Sequence, residues 1–156
     1  MKKILLMALL LSSITYAQTT QYIKIGANQH KIEENTGTGI AIGWGVTKTT
    51  QNNLLLGVDF NLDYASDIEG KSFSAYSGDV KLGYAFFNQK LGVYAIGSAM
   101  QQSYVNTGYG FGYGGGVSYK LLDSLSIICE YKTYSMTNTA STYDYDSLGG
   151  YLQYNF

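Results

Sequence analysis

Gly108-Tyr109-Gly110-Phe111-Gly112-Tyr113-Gly114-Gly115-Gly116-Val117-Ser118-Tyr119-Lys120-Leu121 alternates bulk with its near absence. Tyr109, Phe111, Tyr113, Val117, Tyr119 and Leu121 fall on one side of an extended strand. Gly110, Gly112, Gly114, Gly116, Ser118 and Lys120 fall on the other. A soluble sandwich turns its bulky face inward and meets water with a charged one. Here the second face is mostly glycine, and charged residues make up only 13% of the chain, too few to coat an outside. The inverted arrangement fits, with large apolar side chains on lipid and small or charged ones within. Small inward residues also suit a narrow barrel, whose interior has room for little more than side chains.

The same period of two recurs along the chain. Eight segments carry it, at about 21–31, 39–48, 53–64, 73–86, 90–103, 109–121, 124–135 and 147–156, most of them long enough for a tilted membrane strand. In the third, Leu54, Leu56, Val58, Phe60, Leu62 and Tyr64 alternate with Leu55, Gly57, Asp59, Asn61 and Asp63. In the second, Ile40, Ile42, Trp44 and Val46 oppose Ala41, Gly43, Gly45 and Thr47. The fourth sets Tyr76, Val80, Leu82, Tyr84 and Phe86 against Ser77, Asp79, Lys81, Gly83 and Ala85. The seventh sets Leu125, Ile127, Cys129 and Tyr131 against Ser126, Ile128, Glu130 and Lys132. The fifth has apolar residues on both faces, so its phase stays open, and with it whether Tyr94, Ile96 and Met100 enter the lumen. Sixteen Tyr, 19 Gly and no Pro agree with twisted, fully laddered strands.

Residues 1–17 read as a secretory signal peptide. Lys2 and Lys3 supply the positive start, Ile4 to Leu11 the apolar run, and Thr15-Tyr16-Ala17 the cleavage site. Residues 18–156 then form one domain, with eight basic against eleven acidic side chains, which argues against a nucleic-acid partner. An even strand number puts both ends of the barrel wall on one side, expected to be the periplasm. Short turns fall at about 48–53, 87–90 and 121–124 on that side. Loops at about 32–38, 65–72, 104–108 and 136–146 face outward and carry Glu33, Glu34, Asp67, Glu69, Asp144 and Asp146, an acidic rim. Tyr64, Tyr76, Tyr104, Tyr109, Tyr134 and Tyr143 fall near the outer membrane interface, and Phe86, Phe87, Tyr119, Tyr154 and Phe156 near the inner one.

The signal peptide, the eight alternating segments, the 108–121 stretch and the terminal Tyr154-Asn155-Phe156 resemble the small opacity-protein/OmpA-like outer-membrane barrels. The resemblance covers the whole chain after residue 17. It implies an all-β, eight-stranded, antiparallel up-and-down transmembrane barrel in the outer membrane of a Gram-negative bacterium. It further implies monomers surrounded by outer-membrane lipid and lipopolysaccharide. Leu152, Tyr154 and Phe156 match the terminal signal that the barrel-assembly machinery reads during insertion. A soluble lipocalin-like barrel is the alternative fold.

Inward positions collect opposite charges: Lys24, Asp59, Asp63, Asp79, Lys81, Glu130 and Lys132, with Lys120 nearer the periplasmic end. In a narrow barrel these must pair or stay hydrated. Two roles are open for them, an ion-pair plug that fixes register or a gated polar path for small solutes. Pairing across the third and fourth segments is expected to bring Asp59 close to Asp79 and Lys81. His30 reads as a solvated rim residue, with no motif tying a Ser and an acid to it. One His and one Cys make no usual zinc site. Gly112 to Gly116 opens no helix and is no phosphate loop. No catalytic, cofactor or metal site is expected. A non-enzymatic, structural envelope barrel is the leading reading, with a narrow porin-like channel and a surface adhesin as alternatives.

Overall fold

The computed structural model describes residues 18–32, 35–68, 71–104, 106–139 and 141–156. The signal-peptide segment, Glu33, Glu34 and Glu69 lie outside them. Eight strands follow one another: β1 (Gln18–Ile32), β2 (Asn35–Thr49), β3 (Leu54–Ile68), β4 (Lys71–Phe86), β5 (Leu91–Ser103), β6 (Thr107–Leu122), β7 (Leu125–Thr137) and β8 (Thr142–Asn155). Each pairs antiparallel with the next, and β8 closes on β1. Closure leaves no open edge, the condition for placing strands in hydrocarbon.

The register fixes the width. From Tyr22 the partners run Gly45, Asp59, Asp79, Ser98, Gly112, Tyr134 and Tyr145, and the ladder returns to β1 at Ile32, ten positions from its start. Eight strands with this stagger tilt by about 40° and enclose little more than side chains. The outer surface carries Ile42, Trp44, Phe60, Val80, Leu82, Tyr113, Leu152 and other exposed large apolar groups, the band expected against lipid.

Inward glycines make the interior possible. A Cβ at Gly116 would lie 2.6 Å from the Tyr94 ring, and one at Gly45 would lie 2.7 Å from that of Tyr22. Gly112 and Gly149 stand in the same relation to Tyr134 and Tyr151. Each of these glycines is therefore the seat of an inward tyrosine. By contrast, outward Gly78, Gly97 and Gly150 have open space where a side chain would be.

Several expectations need correction. The outer connections are shorter than expected, because strand pairing continues past the polar residues that read as loop. Asp144 and Asp146 lie within β8, and Asp67 within β3. Tyr134 is buried, not in the outer girdle, since it shares the inward parity of Lys132 and Glu130. Tyr104 and Tyr143 are partly buried against an apolar cluster inside the outer mouth. His30 is fully buried rather than solvated, because β1 carries it inward beneath that cluster. The phase of β5 is now fixed: Tyr94, Ile96, Ser98, Met100 and Gln102 face inward.

Gly116→Ala should lower stability by about 1–3 kcal/mol through overpacking against Tyr94. Gly97→Ala, outward and unobstructed, should leave stability unchanged or slightly higher. Urea unfolding of the refolded barrel, followed through the fluorescence of its single tryptophan, Trp44, measures both.

Candidate functional site: the charged lumen

Four side chains form an alternating ring across the middle of the lumen. Lys24 Nζ lies 2.7 Å from Asp59 Oδ2 and 3.0 Å from Glu130 Oε2. Lys81 Nζ lies 2.6 Å from Asp59 Oδ2 and 2.6 Å from Glu130 Oε1. The four come from β1, β3, β4 and β7, so the ring joins the neighbours β3 and β4 through Lys81–Asp59 and ties non-adjacent strands together through its other three links. Tyr22 donates its hydroxyl hydrogen to Asp59 Oδ1, and Tyr94 donates to Glu130 Oε1 at 2.9 Å. The lysines also sit over aromatic faces, Lys24 at 4.6 Å from the Tyr151 ring centre and Lys81 at 4.9 Å from that of Tyr94.

A second unit stands beside the ring. Lys132 Nζ is 2.9 Å from Asp79 Oδ2, which also accepts from Asn61 Nδ2 at 3.0 Å. Ser98 donates to the other oxygen of Asp79 and bonds the Tyr134 hydroxyl at 2.9 Å. Asp59 and Asp79 are register partners, yet each turns to a different lysine. Glu130 and Lys132 share a face without pairing, since both find partners across the lumen. Asp63 accepts from Asn28 Nδ2 at 2.5 Å. Lys120 stays outside this network and lines a cavity at the periplasmic mouth.

Asp59, Asp79 and Glu130 place carboxylate oxygens within 4.8 Å of one another, a spacing compatible with a metal ion. Lysine ammonium groups already contact all three carboxylates at 2.6–3.0 Å, so their charge is met from within the protein. Above the charges, Ile32, Ala65, Phe73, Ala75, Met100, Tyr134, Met136 and Tyr145 form an apolar cap. His30 lies under it, 2.7 Å from the Tyr145 hydroxyl and packed on the Phe73 ring. The neutral partners Tyr22, Asn28, Asn61, Ser98 and Tyr151 were not singled out from sequence, although Tyr22 and Asn28 share the parity of Lys24, and Asn61 that of Asp59.

Residues 4–156 match the family model described as the outer membrane protein beta-barrel domain. The chain belongs to this family. It is an integral protein of the bacterial outer membrane. Among solved structures, Neisserial surface protein A superposes with a TM-score of 0.59 at 16% identity, over 90% of this chain and 99% of that one. Ail, the attachment invasion locus protein of Yersinia pestis, gives 0.61 at 12% identity, over 89% and 99%. A de novo designed transmembrane β-barrel gives 0.52 at 13% identity, over 88% and 95%. At these identities the likeness is one of fold. No curated protein is a significant sequence match.

Removing one member of the ring strands the others. Glu130→Gln should cost about 3–5 kcal/mol, because two buried lysines then share one carboxylate. Lys132→Met with Asp79→Asn should cost less than the sum of the two single changes. Double-mutant cycles by urea unfolding in micelles test both expectations.

Proposed function

We propose that this protein is a closed, non-enzymatic structural barrel of the outer membrane, whose lumen charges act as a plug and a register lock. The observation that carries the reading is the double barrier. The Lys24–Asp59–Lys81–Glu130 ring crosses the lumen at mid-height, and the apolar cap fills it above. A hydrated path for ions would have to break both. The remaining charges, Asp63, Asp79 and Lys132, fill the space between them and are bonded to neighbouring side chains.

The other readings find less support. A lipid-modifying enzyme needs an accessible base, and His30 is enclosed by Phe73 and Tyr145. An adhesin relies on large surface loops, and the outer connections here span only a few residues, between Ile32 and Asn35 and between Thr137 and Thr142 for example. In the membrane the protein meets phospholipid on its inner half and lipopolysaccharide on its outer half, as a monomer. Export uses residues 1–17 as a cleaved signal peptide. Leu152 and Tyr154 stand exposed on the outer face of β8 near its C-terminal end, with exposed Phe156 just beyond it, a position suited to recognition by the barrel-assembly machinery.

Planar-bilayer recording of the refolded protein should be silent, with heat-modifiable gel migration as the folding control. Opening the ring alone, with Lys81→Ala and Glu130→Ala together, should leave it silent because the cap remains. Discrete steps from the unmodified barrel would overturn the plug. Separately, Phe156→Ala should lower the amount of folded barrel recovered in outer-membrane fractions without changing the refolded protein's stability.

A further inference from the structure

The periplasmic mouth of the barrel is not filled. A cavity of about 80 Å³ opens there, below the ring, with Tyr22, Tyr94 and Lys81 at its floor. A single water needs about 10–15 Å³ on this measure, so the cavity has room for several. Its lining includes the hydroxyl-bearing residues Thr47, Ser118 and Ser126, and Asn155, whose amide donates to Ser126 Oγ at 3.1 Å. Three lysines line it, Lys81, Lys90 and Lys120, and among the described residues no carboxylate does.

The charge of this cavity is unbalanced for a countable reason. Lys81 belongs to the ring, where two lysines meet two carboxylates and leave no net charge. Lys90 and Lys120 add two positive charges, and neither has an ion-pair partner among the described residues. The backbone holds them together: the Lys120 N–H donates to the Lys90 carbonyl at 2.8 Å, where the 87–90 turn meets β6. The barrel wall screens this corner less than open water would. Two ammonium groups beside several hydroxyl donors are the chemistry that recognises a tetrahedral oxyanion.

We infer that the periplasmic mouth is a binding site for one small anion of the phosphate type, held by Lys90 and Lys120 with hydroxyl donors from Thr47, Ser118 and Ser126. The site goes beyond the plug, since it needs no passage through the barrel and stands whether or not the lumen conducts. Its size excludes a polymer and admits a single phosphate group, free in the periplasm or carried on a lipid headgroup.

The test is an NMR titration of the ¹⁵N-labelled barrel in maltoside micelles with inorganic phosphate, at constant ionic strength. Amide shifts at Lys90, Ser118, Lys120 and Ser126 should saturate in the millimolar range. Chloride at the same ionic strength should not reproduce them. Lys90→Gln combined with Lys120→Gln should weaken binding by about tenfold or more, and heat-modifiable migration should show the variant still folded. Shifts that stay linear, that chloride matches, or that the double variant retains would overturn the site. Repeating the titration in anionic phospholipid nanodiscs separates the sources. Resonances already at their endpoint there support the site with a lipid headgroup in it, and phosphate-dependent saturation supports it with a soluble anion.

Discussion

Every other feature of this molecule depends on backbone closure in a medium without water. A strand in hydrocarbon cannot leave its N–H and C=O groups unpaired, because each would cost several kcal/mol. Eight strands with a ten-residue stagger satisfy that demand at small diameter. The small diameter then governs the interior. Side chains of all eight strands converge on one axis, and a bulky group from one wall needs an absence on another. Between neighbouring strands, the pairings of Gly116 with Tyr94, Gly45 with Tyr22 and Gly112 with Tyr134 are that accommodation, made residue by residue.

The same narrowness explains the ring. A charge placed inside can neither reach bulk water nor move far from its neighbours, so it must be compensated within a few ångströms. Lys24 and Lys81 each touch both Asp59 and Glu130, which shares every charge between two partners. Tyrosine hydroxyls take up further carboxylate lone pairs. Toward the outer mouth the lumen changes character, with Phe73, Met136 and Tyr145 replacing charges. Toward the periplasm it opens onto hydroxyls and lysines. The interior is thus graded from apolar at the top, through ionic at the centre, to polar and open at the bottom.

Much of the architecture was readable because the two faces of most strands differ so sharply. Glycine opposite aromatic in β6, and aspartate opposite leucine or phenylalanine in β3, leave one phase each. The inward positions of Lys24, Asp59, Asp79, Lys81, Glu130 and Lys132 follow from that phase alone. The closeness of Asp59 to Lys81 follows too, since they are diagonal neighbours across β3 and β4; the contacts of Lys24 and Glu130, and of Lys132 with Asp79, do not, because those partners sit on non-adjacent strands. Asp59 next to Asp79 is a register fact, whereas Asp59 bonded to Lys24 is a fact of the closed barrel. His30 and Tyr134 lie close to polar stretches of the chain, yet strand parity, not that closeness, decides that both point inward. Strands that continue beyond the lipid keep their alternation, and there an inward side chain meets a cap instead of water.

β5 shows what the lumen charges contribute to folding. Its inward side chains, Tyr94, Ile96, Ser98, Met100 and Gln102, carry no charge, and its outward ones are largely small, with Ala95, Gly97 and Ala99 in sequence. That strand alone gave no phase. In a membrane barrel an outward apolar residue is as comfortable as an inward one, so hydrophobicity by itself cannot decide which way a strand turns. A charge can, because lipid exposure of Lys or Asp is costly at the mid-plane. Shifting a strand by one residue would expel its charges into hydrocarbon. The buried ions therefore do for an inside-out protein what the hydrophobic core does for a soluble one. They specify the face, and β5 is positioned by the neighbours on either side of it, β4 with Asp79 and Lys81 and β6 with its inward glycines.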